Sequence, residues 1–293
     1  MLYTIKNEKM TVTIDSRGAQ LMSITGADGT EYLWNGDKAY WGGRAPQLFP
    51  YVGRCTEGRC TYLGKSYNMP KHGFARDCEF VPVIEEEEDR IILGITDTPE
   101  TREVYPFHFD FSVAYELEDA TLRITYAVEN RTNTDMFFGL GGHPGFRVPM
   151  EPGKSFTDYS LTFAQPCHPY RVLLSENYMI SGKSVPYYLE NGTTLPLRHD
   201  LFDNDAIIFD HMDKTVTLSA GEGSRGVTVS IPKMRYLGVW HTTGSPDAPF
   251  VCLEPWVSLP SRDSIVEELT QQGDLIRLES GEIYDNSWTI TIF

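Results

Sequence analysis

The chain predicts an all-β protein, a sandwich or barrel of short strands. Three observations carry this. Apolar residues recur at every second position over many short runs, the period of a half-buried strand. Turn residues separate those runs, with 25 glycines and 18 prolines spread over 293 residues. Convincing helical patterns are scarce, the best being the two turns from Ser264 to Gln271.

The strands follow in order. Met10 to Asp15 alternates and ends at the turn Ser16-Arg17-Gly18. Gln20 to Thr25 is stopped by Gly26-Ala27-Asp28-Gly29. Ile91–Thr96, Phe109–Tyr115 and Thr121–Val128 read the same way, as do Thr215–Leu218, Gly226–Ile231 and Ser287–Ile292. Met136 to Leu140 is apolar throughout and reads as a buried strand. The acidic run Glu85 to Asp89 reads as a solvated hairpin tip. Segment 165–200, dense in turn residues, is expected to wrap the surface. No internal repeat and no linker divides the chain, so one domain over residues 1–293 is expected.

Composition narrows the partners. Hydrophobic residues make up 41% and aromatics 12%, which supports a packed core rather than disorder. A net charge of -16 argues against nucleic acid and against an anionic membrane surface, both of which need a basic face. A small neutral ligand suits that balance. The first residues turn polar at once, and no apolar stretch approaches a membrane span. Five cysteines occur without a CxxC, which reads as reduced thiols in a cytoplasmic protein and no zinc site. The oligomeric state is open.

Three motifs carry chemistry. Gly141-Gly142-His143-Pro144-Gly145-Phe146 holds a histidine between close-approach glycines and a proline, a rigid place from which an imidazole can move a proton. Lys71-His72-Gly73-Phe74-Ala75-Arg76 holds a second histidine. Phe250-Val251-Cys252-Leu253-Glu254-Pro255-Trp256 holds one carboxylate in an apolar run. Burial of Glu254 would raise its pKa toward the range useful to a general base. No GxSxG, no HExxH and no recognisable catalytic cysteine pattern occurs.

These motifs resemble the aldose 1-epimerase (galactose mutarotase-like) family, its LacX-like branch above all. Pro46 to Arg54 resembles the branch's P-x-L-F-P-x-V-G-R block, Lys71 to Arg76 its HGFAR block, and Gly141 to Phe146 its GGHPxF block. Phe202 to Phe209 resembles its FxNDAxxF block, and Tyr236–Trp240 with Ala248–Trp256 its closing block. The resemblance implies an antiparallel β-supersandwich that binds sugar in a cleft, with no cofactor and no metal. It implies an isomerase interconverting the α and β anomers of a free hexose such as galactose or glucose. Glu254 is then the base, His143 the acid, and His72 a second histidine near the ring oxygen. Arg54 and Arg76 bind hydroxyls or hold Glu254, Asp203 or Asp205 binds hydroxyls, and Trp240 or Phe146 lies against an apolar sugar face. The stretch Val257 to Ser261 departs from the branch, where Gly and Asp are usual, and bears on substrate preference.

Plainer readings stand beside these. Arg54 and Arg76 also suit structural ion pairs, and Asp-Asn-Asp is ordinary turn chemistry. Two other functions fit the same motifs. One is a hexose 6-phosphate epimerase, with Arg44, Arg54, Lys71 and Arg76 around the phosphate. The other is a sugar-binding or regulatory protein without turnover.

Overall fold

The structure, a computed structural model, describes residues 1–84 and 87–293. Glu85 and Glu86 of the expected hairpin tip lie outside the described residues, and residues 87–89 are exposed.

Two large antiparallel sheets face each other across the main core. The first has nine strands, in the order Thr194–Pro196, Ser160–Phe163, Thr215–Ser219, Gly226–Ser230, Ile283–Ile292, Thr121–Asn130, Phe109–Glu118, Arg90–Thr96 and Val81–Pro82. Its strands alternate as their sequences do. Phe109, Phe111, Val113 and Tyr115 turn inward, and Leu122, Ile124, Tyr126 and Val128 do the same on the neighbouring strand. The register Leu122↔Leu117 and Ile124↔Tyr115 keeps these side chains on one face, where a shift of one residue would expose them all.

The second sheet has eight strands. Seven run in the order Ile180–Pro186, Tyr170–Leu174, Ile207–Asp210, Tyr236–Trp240, Phe250–Trp256, Gly141–Gly142 and Gln47–Leu48; Gly145–Arg147 also pairs with Phe250–Trp256. Phe250–Trp256 is buried on both faces, hence a run that is apolar but for Glu254. Val251 and Leu253 join the main core. Phe250, Cys252, Glu254 and Trp256 face the other way; Phe250 and Cys252 pack with Trp34, while Glu254 and Trp256 line a hollow on the far side of the sheet. A three-stranded sheet (Leu2–Lys6, Met10–Asp15, Gln20–Gly26) and two hairpin-sized sheets complete the strand structure of the described residues.

Two local expectations fail. Ser264 to Gln271 is not a helix. Its backbone is used for tertiary pairing, with Thr61 N–H donating to Glu267 C=O and Leu269 N–H to Thr61 C=O, both at 2.8 Å, and Ser264 holds a left-handed φ of 62°. The α-helix of the described residues is instead Pro99–Val104, set by a reciprocal Thr98–Thr101 capping box and a proline in its first turn. Segment 165–200 does more than wrap the surface: it supplies edge strands to both large sheets.

Glycines let the site strands approach their neighbours. A Cβ on Gly142 would sit 2.9 Å from both the Trp288 ring and the Tyr126 hydroxyl of the facing sheet. That hydroxyl donates to Gln47 Oε1 at 2.7 Å, and Gln47 Nε2 reaches the Tyr115 hydroxyl at 2.8 Å, so the sheets are joined by a buried polar chain. Gly142→Ala is therefore expected to destabilise the fold by about 1–3 kcal/mol, an overpacking cost, read as a lower urea midpoint at unchanged m-value.

Candidate active site

Register brings the acid/base pair together. Gly141 pairs with Trp256 and Gly145 with Cys252, so the residues midway between them, His143 in the break between its two short strands and Glu254 on the neighbouring strand, stand opposite each other. His143 Nε2 lies 3.3 Å from Glu254 Oε2. The approach lacks hydrogen-bond geometry, and Glu254 Oε2 and His143 Nδ1 are both buried with no hydrogen-bond partner. Glu254 is 1% exposed and His143 8%.

Aromatic rings wall the imidazole. Trp41 stacks on it at 4.8 Å, Trp240 meets it edge-on at 5.6 Å, and the His72 ring stands 5.5 Å away. His72 is itself oriented. Gly53 N–H donates to its Nδ1 at 3.1 Å, so the ring proton of neutral His72 is on Nε2. The turn that presents it needs two left-handed residues, His72 at φ 66° and Gly73 at φ 70°. A Cβ on Gly73 would fall 2.2 Å from the Phe49 carbonyl oxygen, which explains the glycine after this histidine.

Burial sets the charge states. It raises Glu254 well above the ordinary carboxylate range, against the pull of the Lys71 ammonium. It lowers His143 to about 3, with Lys71 adding to the effect, and it lowers His72 as well.

The cavity has a volume of about 90 Å³ open to water centres, several times the roughly 10–15 Å³ that one water needs. It gathers His72, His143 and Glu254 with Arg54, Arg76, Asp205 and Trp240 from the expected set. Phe146 is not among them. Gly145 faces the hollow, where a Cβ would meet Trp41 and Cys252, so the next residue turns the opposite way and Phe146 is 0% exposed in the core. Asp203 is also outside. It follows the 3-10 turn His199–Phe202, is exposed, and its charge acts on His241, whereas Asp205 acts on Glu254. Arg44, grouped with a phosphate site on sequence grounds, instead donates to the Met22 carbonyl. His241 points away from the cavity and bonds His199 at 3.1 Å. Trp41, Tyr178 and Trp256 line the cavity without having been singled out for it. Trp256 had a signal, since it ends the glutamate strand two residues from Glu254 and so shares its face.

His143, Cys252 and Glu254 each offer a metal-ligating atom within 4.8 Å of the others. Burial raises the Cys252 thiol well above its usual range, which disfavours the thiolate a metal requires.

The aldose 1-epimerase family model matches residues 1–284. The chain belongs to this family. Protein LacX (plasmid) of Lactococcus lactis subsp. lactis is 32% identical over 304 residues, spanning 100% of this chain and 99% of its own. A galactose mutarotase related enzyme from Lactobacillus acidophilus has a TM-score of 0.94 at 30% identity, covering 100% of this chain and 97% of that one. A galactose mutarotase-like protein from Lactobacillus casei has a TM-score of 0.92 at 30% identity over the whole of both chains, at 100% each. The fold is thus the galactose mutarotase-like one that the motifs imply. No helix among the described residues is long and apolar enough to cross a membrane.

NMR titration of the His143 ring tests the site's dryness. The imidazole is expected to stay uncharged at about pH 5, where an ordinary histidine is charged. Trp41→Ala, which readmits water, should move its midpoint upward. The sign for stability follows. The unfolded histidine titrates near 6.5 and His143 near 3, so this group favours the fold above pH 6.5. That contribution is lost as pH falls toward 3, by roughly 1.4 kcal/mol per pH unit.

Proposed function

We propose that this chain is an aldose 1-epimerase that interconverts the α and β anomers of a hexopyranose through its open aldehyde. One observation carries the reading: a buried carboxylate and a buried imidazole face each other in a cavity with hydrogen-bonding atoms unpaired. The two oxygens that exchange protons in ring opening, O1 and the ring oxygen, are bonded to the same carbon. Groups a few ångströms apart can therefore serve both.

The proton count follows from the pair. Glu254 and His143 together hold one exchangeable proton. In the opening step, carboxylate Glu254 accepts the O1 proton while imidazolium His143 gives its proton to the ring oxygen. The bond from C1 to the ring oxygen breaks and C1=O1 forms. The pair is then carboxylic acid and neutral imidazole, the form that burial favours. Rotation about C1–C2 exposes the other carbonyl face. In closure the freed hydroxyl attacks C1 and returns its proton to His143, while Glu254 returns the other to O1. The pair carries no net charge at any stage, which suits a site where net charge is costly to bury. His72 Nε2–H donates to the sugar and its ring helps to wall His143, while Trp240 and Trp41 present flat apolar surface. A pure sugar binder has no use for an unpartnered acid/base pair.

Glu254→Gln and His143→Asn are each expected to lower the rate of anomer exchange by about 100- to 10,000-fold, with the fold retained. Exchange NMR or polarimetry on freshly dissolved aldoses reads this. Equilibration of every aldose at the buffer rate by the wild-type protein would end the proposal.

The pH profile is a separate test. The one-proton pair is the active form, so kcat/KM on a non-titrating aldose should fall on both sides. The acid limb marks His143 taking a second proton near 3, and the alkaline limb marks Glu254 losing its proton above the usual carboxylate range. The Lys71 charge lowers both groups, so Lys71→Met should shift both limbs upward. The Asp205 charge raises Glu254, so Asp205→Asn should shift the alkaline limb downward.

A further inference from the structure

The cavity holds more positive charge than its own carboxylates answer. Arg54, Lys71 and Arg76 all line it. Most arginines elsewhere have carboxylate partners: Arg262 has Glu267 at 2.9 Å, Arg235 has Asp210 at 3.1 Å and Arg90 has Glu116 at 3.1 Å. Among the described residues, the three cavity cations have no carboxylate within salt-bridge reach and no side-chain hydrogen bond. Arg54 alone has an aromatic neighbour, the Tyr178 ring, 5.9 Å from its guanidinium carbon. Asp205 and Glu254 share the cavity without pairing with any of them.

This crowding is unfavourable without a ligand. The Lys71 side chain reaches solvent, yet its ammonium is hemmed by protein atoms. That desolvation, with the Arg54 charge next, lowers its pKa. Three unpaired cations are held beside one another in a protein whose net charge is -16, so the cluster runs against the overall field. A neutral sugar would desolvate them without neutralising any. An anionic oxygen group would accept charge-assisted hydrogen bonds from two guanidinium forks and an ammonium.

Resting on the epimerase reading, we propose that the aldose turned over here carries an anionic group away from C1, a phosphate monoester or a carboxylate, held by Arg54, Lys71 and Arg76. The acid/base pair on the buried floor then works on C1, while the cations nearer the mouth fix the charged end. Binding energy from this remote group positions the reacting carbon.

The test compares glucose, glucose 6-phosphate and glucuronate as substrates of the wild-type protein by exchange NMR, with inorganic phosphate as a competitor. An anionic aldose is expected to exceed glucose in kcat/KM by about 100-fold or more. The preference should shrink as ionic strength rises, since the cluster is partly open to solvent. A lead for glucose 6-phosphate assigns the phosphate monoester, and a lead for glucuronate assigns the sugar acid. Lys71→Met and Arg54→Met should each cut the anionic-to-neutral ratio by about tenfold or more. The wild-type ratio and its salt dependence stand even where a variant misfolds. Glucose accelerated as well as either anion, with phosphate not competing, overturns the anion subsite and leaves epimerisation intact. Salt-sensitive binding of glucose 6-phosphate with no aldose accelerated overturns epimerisation and keeps the subsite. Neither binding nor acceleration overturns both.

Discussion

The site depends on a cross-strand register that sets one imidazole directly against one carboxylate inside a buried hollow. Equal spacing along the two segments, Gly141 to Gly145 and Trp256 to Cys252, sets His143 against Glu254. Small residues make that register possible. Gly238 flanks Glu254 on the other side, where a Cβ would lie 2.9 Å from the Trp256 ring and 3.2 Å from Glu254 Cβ. Side chains at these positions would push the strands and the indole apart, and the pair would lose its common cavity.

Burial then sets the charge states of this pair. It pushes the Glu254 carboxyl up and the His143 imidazole down, favouring the uncharged form of each. The surrounding rings keep that arrangement dry and rigid. Trp41 on one face and Trp240 on an edge leave the imidazole little rotational freedom. His72 adds a hydrogen-bond donor whose tautomer is set by a backbone amide rather than by pH. Polar function is thus concentrated on one face of a sheet whose other face is ordinary core.

Much of the fold was legible because antiparallel strands in a sandwich announce themselves by alternation. Alternation marks Met10–Asp15 in full and Gln20–Gly26 but for its last residue, and it stops two residues short of the end of Thr121–Asn130. Ser264 to Gln271 misled because its helical pattern is local, while its amide and carbonyl groups are claimed by Thr61, two hundred residues away in sequence. Pro99–Val104 is hard to see in sequence because one and a half turns carry too little periodicity, and its one local sign is the Thr98-Pro99 start. At the site, the two histidines and the glutamate stood out as polar residues in strand and turn contexts that make them costly. Phe146 turns into the core rather than the cavity because the face of a short interrupted strand is decided by where its neighbour Gly145 packs.

By itself the sequence determined an all-β chain, its family, and the residue types able to move a proton, because periodicity and ordered motifs are written locally. It also held the cations of the Lys71–Arg76 turn and the Arg54 segment in plain view. Only the tertiary structure decided which of them share a cavity, that Asp205 rather than Asp203 reaches it, and that Trp41 covers the catalytic-type imidazole. The reason is physical. Alternation says that a side chain leaves a strand on one face or the other, but which face meets the hollow, and which charges there go unpaired, is settled by packing between segments far apart in the chain.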